Sequence, residues 1–155
     1  MLSRLWVLIG RLGFSIARYP ISRIVRNSHR TRVLLVCGDE YLVVKHWLGN
    51  DSWMLPGGGC HRGEDPLAAA QREVREEIGL RLKATDFLPA GRHVCHDRPF
   101  RFTYDLYIVT ITTPPDLALQ RVEILSARWF NRAASLPGAA CPEIAVALAH
   151  WPQGA

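Results

Sequence analysis

The chain is predicted to fold as an α+β layered domain preceded by a basic helical arm. Three observations predict it: two Val- and Leu-rich runs joined by a short polar turn, one amphipathic helix with well-formed ends, and three later strand-like runs before a final helix. At 155 residues and 17.5 kDa, a single domain with one buried core is expected. Hydrophobic residues at 48%, charged residues at 21% and a mean hydropathy of +0.01 exclude a disordered or fibrous chain.

Residues 1–30 read as arm and linker, and residues 31–155 as the domain. In the arm Leu2, Leu5, Ile9, Leu12 and Ile16 recur every three or four positions, which sets one apolar stripe on a helix. Arg4, Arg11 and Arg18 fall on roughly the opposite side. Pro20 ends this helix, and Gly10 and Gly13 weaken it by up to about 1 kcal/mol each relative to alanine, so it needs a surface to lie on. That surface is its own domain, a second copy in a homodimer, or a membrane, since Trp6 and Phe14 beside an arginine-rich face suit peripheral contact. The same arginines interrupt the one apolar stretch that approaches a bilayer span, and no cleavable secretory signal is expected.

From residue 31 the pattern changes. Residues 32–37 and 41–47 are strand-like and joined by Gly38, Asp39 and Glu40, which predicts a hairpin. A short strand at 53–55 stops at Pro56 and three glycines. The next helix has Asp65 as its N-cap, Pro66 at its first position and Gly79 just past its end. Strands are expected around 87–95, 101–112 and 122–130, and a last helix at 142–150.

The net charge of +5 does not indicate a nucleic-acid partner once it is split along the chain. Residues 1–32 hold seven arginines and no acid, so the remainder carries 12 basic and 14 acidic residues. Cys37, Cys60, Cys95 and Cys141 contain no CxxC pair and read as reduced thiols, which predicts a cytoplasmic protein.

The helix after Asp65 carries a division of faces that stability alone does not explain. Leu67, Ala70, Val74 and Ile78 form its core stripe, while Glu73, Glu76 and Glu77 are expected together on the exposed side, within an arc of about 100°. Like charges at that spacing cost a few tenths of a kcal/mol per pair, roughly, and a hard divalent cation converts the repulsion into coordination. Oxygen ligands without His or Cys indicate Mg2+ or Mn2+ rather than zinc. Gly57, Gly58 and Gly59 leave backbone groups approachable by a metal or a phosphate, so the implied substrate carries a phosphate chain.

Residues 58–80 resemble the Nudix box, G-x5-E-x7-R-E-U-x-E-E-x-G-U with U aliphatic. The match falls on Gly58, Glu64, Arg72, Glu73, Val74, Glu76, Glu77, Gly79 and Leu80, which are all the defined positions. The resemblance implies an α/β/α sandwich with a mixed sheet and hydrolysis of a nucleoside diphosphate linked to a further group. It implies that Glu76 and Glu77 bind metal, that Glu73 binds metal or acts as base, and that the Gly57 carbonyl is a further ligand. By the same resemblance Arg72 orients the glutamates and Glu64 braces the loop against the helix. Glu123, six residues before Trp129, resembles the later acid that some members supply as ligand or base, the alternative being a solvated acid at a strand end.

Further readings stay secondary. Gly58, Gly59 and Arg98 are candidate substrate contacts, with Arg92 and Arg101 beside the same loop. Trp47, Trp53, Phe100, Phe102 and Tyr104 are read as core rather than as stacking platforms, His93, Cys95 and His96 as a strand end rather than a zinc site, and Cys60 as no nucleophile. The places where some Nudix proteins carry a substrate-marking proline or tyrosine hold His96 and Asp97. A nucleotide sugar, ADP-ribose or a nucleoside triphosphate therefore all remain open as substrate. The alternatives are a non-catalytic nucleotide sensor and a membrane-peripheral lipid-pyrophosphate hydrolase.

Overall fold

The computed structural model describes residues 28–47, 51–96, 101–136 and 138–152. The predicted N-terminal helix, Phe100 and Arg98 lie outside these residues. Five strands, β1 (His29–Cys37), β2 (Glu40–His46), β3 (Leu88–Cys95), β4 (Phe102–Ile111) and β5 (Ile124–Asn131), form one mixed sheet in the order β3-β4-β1-β2-β5. Helix α1 (Pro66–Ile78) and helix α2 (Pro142–Leu148) complete the domain with a single 3-10 turn at Ala84–Asp86.

Strand β1 runs parallel to β4 along its whole length, from His29 opposite Thr103 to Cys37 opposite Ile111. Both of its faces are covered, which is why it reads as an unbroken apolar run rather than an alternating one. Val33 and Leu35 face the Ala70, Val74 and Ile78 stripe of α1, together with Leu42, Val44, Tyr107 and Val109. Leu34 and Val36 face the other way, toward Ile144 and Ala147 of α2, with Tyr41, Val43, Leu106 and Ile108. A helix therefore packs on each side of the sheet, giving the expected α/β/α layering.

Several predicted elements change. The segment 53–55 is not a strand: Met54 bridges Val44 of β2 while Trp53 bridges Ala140, two single contacts with different partners. A chain passing from one neighbour to another within two residues cannot propagate a ladder, and Pro56 then removes a donor. The last helix closes at Leu148 rather than 150, its final turn loosening through His150. Strand β1 also begins at His29, earlier than the apolar run suggested, and so takes Arg30 into the sheet.

Candidate active site

The two central strands pair with each other only at Val36–Tyr41 and Cys37–Glu40, then diverge. The glycine-rich segment fills the fork. The Val33 amide donates to the Pro56 carbonyl at 2.9 Å, the Thr31 amide to the Gly58 carbonyl at 2.8 Å, and the Cys60 amide to the His29 carbonyl at 2.9 Å. This wedge explains the glycine at position 57. Its φ is +134°, and a β-carbon there would fall on the Thr31 carbonyl. Position 58 has a different reason: a β-carbon would occupy the space of the Glu73 carboxylate, which lies directly on the Gly58 backbone.

Helix α1 aims the acids at this turn. Asp65 Oδ1 accepts from the Leu67 and Ala68 amides at 2.9 and 3.2 Å, and Gly79 closes the helix in a left-handed conformation. The last carbonyls of the helix are taken by the loop between β4 and β5, with the Ala118 amide on Ile78 and the Gln120 amide on Glu77, both at 3.0 Å. That loop leads to Glu123, whose carbonyl accepts from the Trp47 amide at 3.1 Å.

The three glutamates of the helix separate into different environments. Glu77 was expected on the exposed side, yet its side chain is 2% exposed. The helical period gave its direction correctly, but the glycine turn covers that direction, and the Gly57 amide donates to Glu77 Oε2 at 2.9 Å. His46 Nε2 stands 3.3 Å from Glu77 Oε1 without making a hydrogen bond. The Glu73 side chain is mostly covered, and burial pushes its carboxyl up, with the Arg72 hydrogen bond opposing and the charges of Glu77 and Glu76 adding. Glu76 is 44% exposed and held by Arg72 Nη1 at 3.2 Å.

Arg72 ties the acids to the loop. It donates to Glu64 through Nε and Nη2, both at 2.9 Å, to Glu73 at 2.8 Å and to the Gly59 carbonyl at 2.9 Å. Surrounded by acceptors, its guanidinium is raised above the ordinary arginine range, led by the Glu64 hydrogen bond. Glu64 also accepts from the His61 amide at 2.8 Å, and these bonds, the Arg72 pair first, hold its carboxyl down to about 2.

A cavity of about 340 Å3 opens at the fork, lined by Arg30, His46, Trp47, Gly57, Gly58, Gly59, Glu73, Glu77 and Glu123. Of the sequence candidates it brings together Glu73, Glu77, Glu123 and the three glycines, while Glu64, Arg72 and Glu76 stand behind or beside the wall. The reading of Trp47 as core is corrected, because it is only partly buried and lines the cavity. Trp53, Phe102 and Tyr104 are core as expected. Arg92 forms a forked pair with Asp105 at 3.0 and 3.1 Å, which leaves its guanidinium committed to a carboxylate. Burial and the Glu64 charge push the Cys60 thiol up, against a nucleophilic thiolate.

Two residues escaped the sequence reading. Arg30 was grouped with the basic arm, and His46 drew no comment; both follow from strand register, which no local motif encodes. The donor set suits a hard divalent cation. Three glutamates stand among the lining residues, and the charge on Glu73 is disfavoured by burial and by its acidic neighbours, a strain that a bound cation relieves. Among the described residues no three His, Cys, Asp or Glu side chains already form a metal cage. Magnesium tolerates this, since it keeps several waters and takes few carboxylates.

A family model described as the NUDIX domain matches residues 21–150 of the chain. Diphosphoinositol polyphosphate phosphohydrolase 2 of Rattus norvegicus is 42% identical over 92 residues, covering 56% of this chain and 49% of that protein. Nudix hydrolase 10 of Arabidopsis thaliana is 34% identical over 116 residues, covering 71% of this chain and 41% of that protein. The chain thus spans about half the length, or less, of these curated relatives. Among solved structures, a MutT NUDIX hydrolase from Burkholderia pseudomallei superposes with a TM-score of 0.71 at 18% identity, over 81% of this chain and 98% of that one, a likeness of fold.

Proposed function

The chain belongs to the NUDIX family, and from that premise we propose that it is a divalent-metal-dependent hydrolase that cleaves a pyrophosphate linkage in a small substrate by attack of water at phosphorus. One observation carries the reading: three acidic residues, Glu73, Glu77 and Glu123, line the same cavity as Gly57, Gly58 and Gly59.

In this reading Glu73 and Glu77, with the Gly57 carbonyl and Glu123, hold Mg2+ or Mn2+. The cation supplies neutralisation of the diphosphate charge and acidification of the attacking water. The chain's own residues do the rest. Glu77 fixes the turn through the Gly57 amide, so the acidic wall and the backbone wall keep one spacing. Arg72 holds Glu73 and Glu76 in orientation, and Glu64 holds Arg72. Glu73 or Glu123 takes the proton of the attacking water, since both line the cavity.

The substrate is proposed to be a nucleotide-type pyrophosphate: a nucleotide sugar, ADP-ribose or a nucleoside triphosphate. Trp47 supports this, because a partly exposed tryptophan among the lining residues is suited to stack on a base. The rat relative's name points instead to a diphosphoinositol polyphosphate, which shares the anhydride and has no base to stack.

The test is phosphorus NMR of the purified chain with each of these compounds and magnesium or manganese. Metal-dependent appearance of two phosphate-bearing products, with solvent oxygen-18 in one of them, is the expected result. A folded protein that turns over none of the panel with either metal overturns the hydrolase reading in favour of a nucleotide-binding module.

A further inference from the structure

Arg30 and Arg32 stand two residues apart on β1 and share one ring, lying 5.2 and 5.4 Å from the centroid of Phe102. Their partners differ completely. Arg32 is 3% exposed and fully engaged, donating to Glu143 Oε1 at 2.5 Å and to the carbonyls of Thr31 and Gly57 at 2.9 and 3.0 Å. Arg30 has no such set. Its Nε is buried without a hydrogen-bond partner, and no ion pair reaches it among the described residues.

A buried cation without a counterion is costly, and native structures rarely keep one unless something else completes it. Burial, followed by the Arg32 charge, pulls the Arg30 guanidinium down to about 10, which still leaves it charged at neutral pH. Glu143, Glu73 and Glu77 are the acids whose fields reach it. Arg30 also lines the cavity that holds Glu73, Glu77 and Glu123. The wall therefore carries acids that suit a cation and a largely desolvated guanidinium, without a carboxylate partner of its own, that suits an anion. A planar guanidinium fork matches two oxygens of one phosphoryl group.

We propose that Arg30 is a substrate-binding residue that takes the oxygens of a phosphoryl group, the anionic counterpart of the cation proposed for Glu73 and Glu77. The inference deepens the hydrolase reading and rests on it for the ligand's identity, but it makes a separate demand, namely anion binding at this residue.

Calorimetry of the full chain separates the two. Methylenediphosphonate, which water cannot cleave at its bridge, serves as the anion, and magnesium and manganese are titrated alone and with it. In Arg30→Gln the diphosphonate affinity is expected to fall at least about tenfold while uptake of metal alone is kept, with Arg30→Lys recovering part of the loss. Melting temperature checks the fold, and Arg30→Met provides a second variant that keeps packing on Phe102. Unchanged diphosphonate affinity in a folded Arg30 variant, or no diphosphonate binding by the native chain, overturns the proposal. Native protein that binds the diphosphonate through Arg30 but takes up neither metal overturns the hydrolase reading and leaves the assignment of Arg30 standing.

Discussion

The carboxylate of Glu77 accepts the amide hydrogen of Gly57 at 2.9 Å, joining the last turn of α1 to a loop 20 residues earlier in the chain. From the opposite side Arg32 donates to the Gly57 carbonyl at 3.0 Å. Gly57 is thus gripped at both its amide and its carbonyl by a buried charged group. Position, rather than charge count, is what this arrangement contributes to the cavity.

Glu77→Gln keeps an oxygen that can accept from Gly57 and removes the charge. Turnover is expected to fall about a hundredfold or more while the melting temperature changes little, because a lost cation ligand costs several kcal/mol of transition-state stabilisation, roughly. Steady-state kinetics beside a thermal melt checks it; near-native turnover in a folded variant counts against the metal assignment.

Metal should also act on the unliganded fold. A cation bound only by the native state stabilises it by about 2.7 kcal/mol at a hundred times its dissociation constant, so magnesium or manganese is expected to raise the melting temperature by several degrees. The rise should vanish with a chelator and in the Glu73→Gln, Glu77→Gln double variant. An equal rise in that variant would show the ion bound elsewhere.

Gly57→Ala meets both a φ of +134° and the Thr31 carbonyl. A loss of about 2–4 kcal/mol in urea unfolding is expected. Gly59→Ala has open space around its β-carbon and should lose much less, which makes it the control.

Glu143→Leu leaves Arg32 charged and buried without its partner, at a cost of about 3–5 kcal/mol. In the native protein burial opposes the Arg32 charge and Glu143 more than restores it, so removing Glu143 leaves the opposition without its main compensation. Combining Glu143→Leu with Arg32→Met should recover most of that loss. Equal instability of single and double variants in urea unfolding would refute the pairing argument.

The Glu64 carboxyl, held from 4.5 down to about 2 by Arg72 and the His61 amide, binds a proton more readily in the unfolded chain. Its contribution is complete above pH 4.5 and is lost as pH falls toward 2. Native protein should therefore exceed Glu64→Gln in stability at pH 7, and the gap should close across that acid window. A gap unchanged at pH 2.5 to 3, roughly, would contradict the assigned bonds.

What the sequence determined by itself is local. Capping at Asp65 and Gly79, the apolar stripe of α1 and the spacing of Glu64, Arg72, Glu73 and Glu77 all lie within one turn-and-helix unit, where 3.6-residue periodicity and cap chemistry fix geometry without reference to the rest of the chain. The hairpin and the approximate positions of the five strands along the chain were legible for the same reason. The tertiary structure alone decided what each face meets. Glu77 is buried because β1 and β2 diverge and admit the glycine turn above it; Trp47 and Arg30 reach the cavity because the register of β2 on β5 and of β1 on β4 sets where the strand ends fall. Arg32 finds Glu143 across 111 residues. Pairing of buried charges and convergence of strand ends depend on contacts distant in sequence, and no local pattern carries that information.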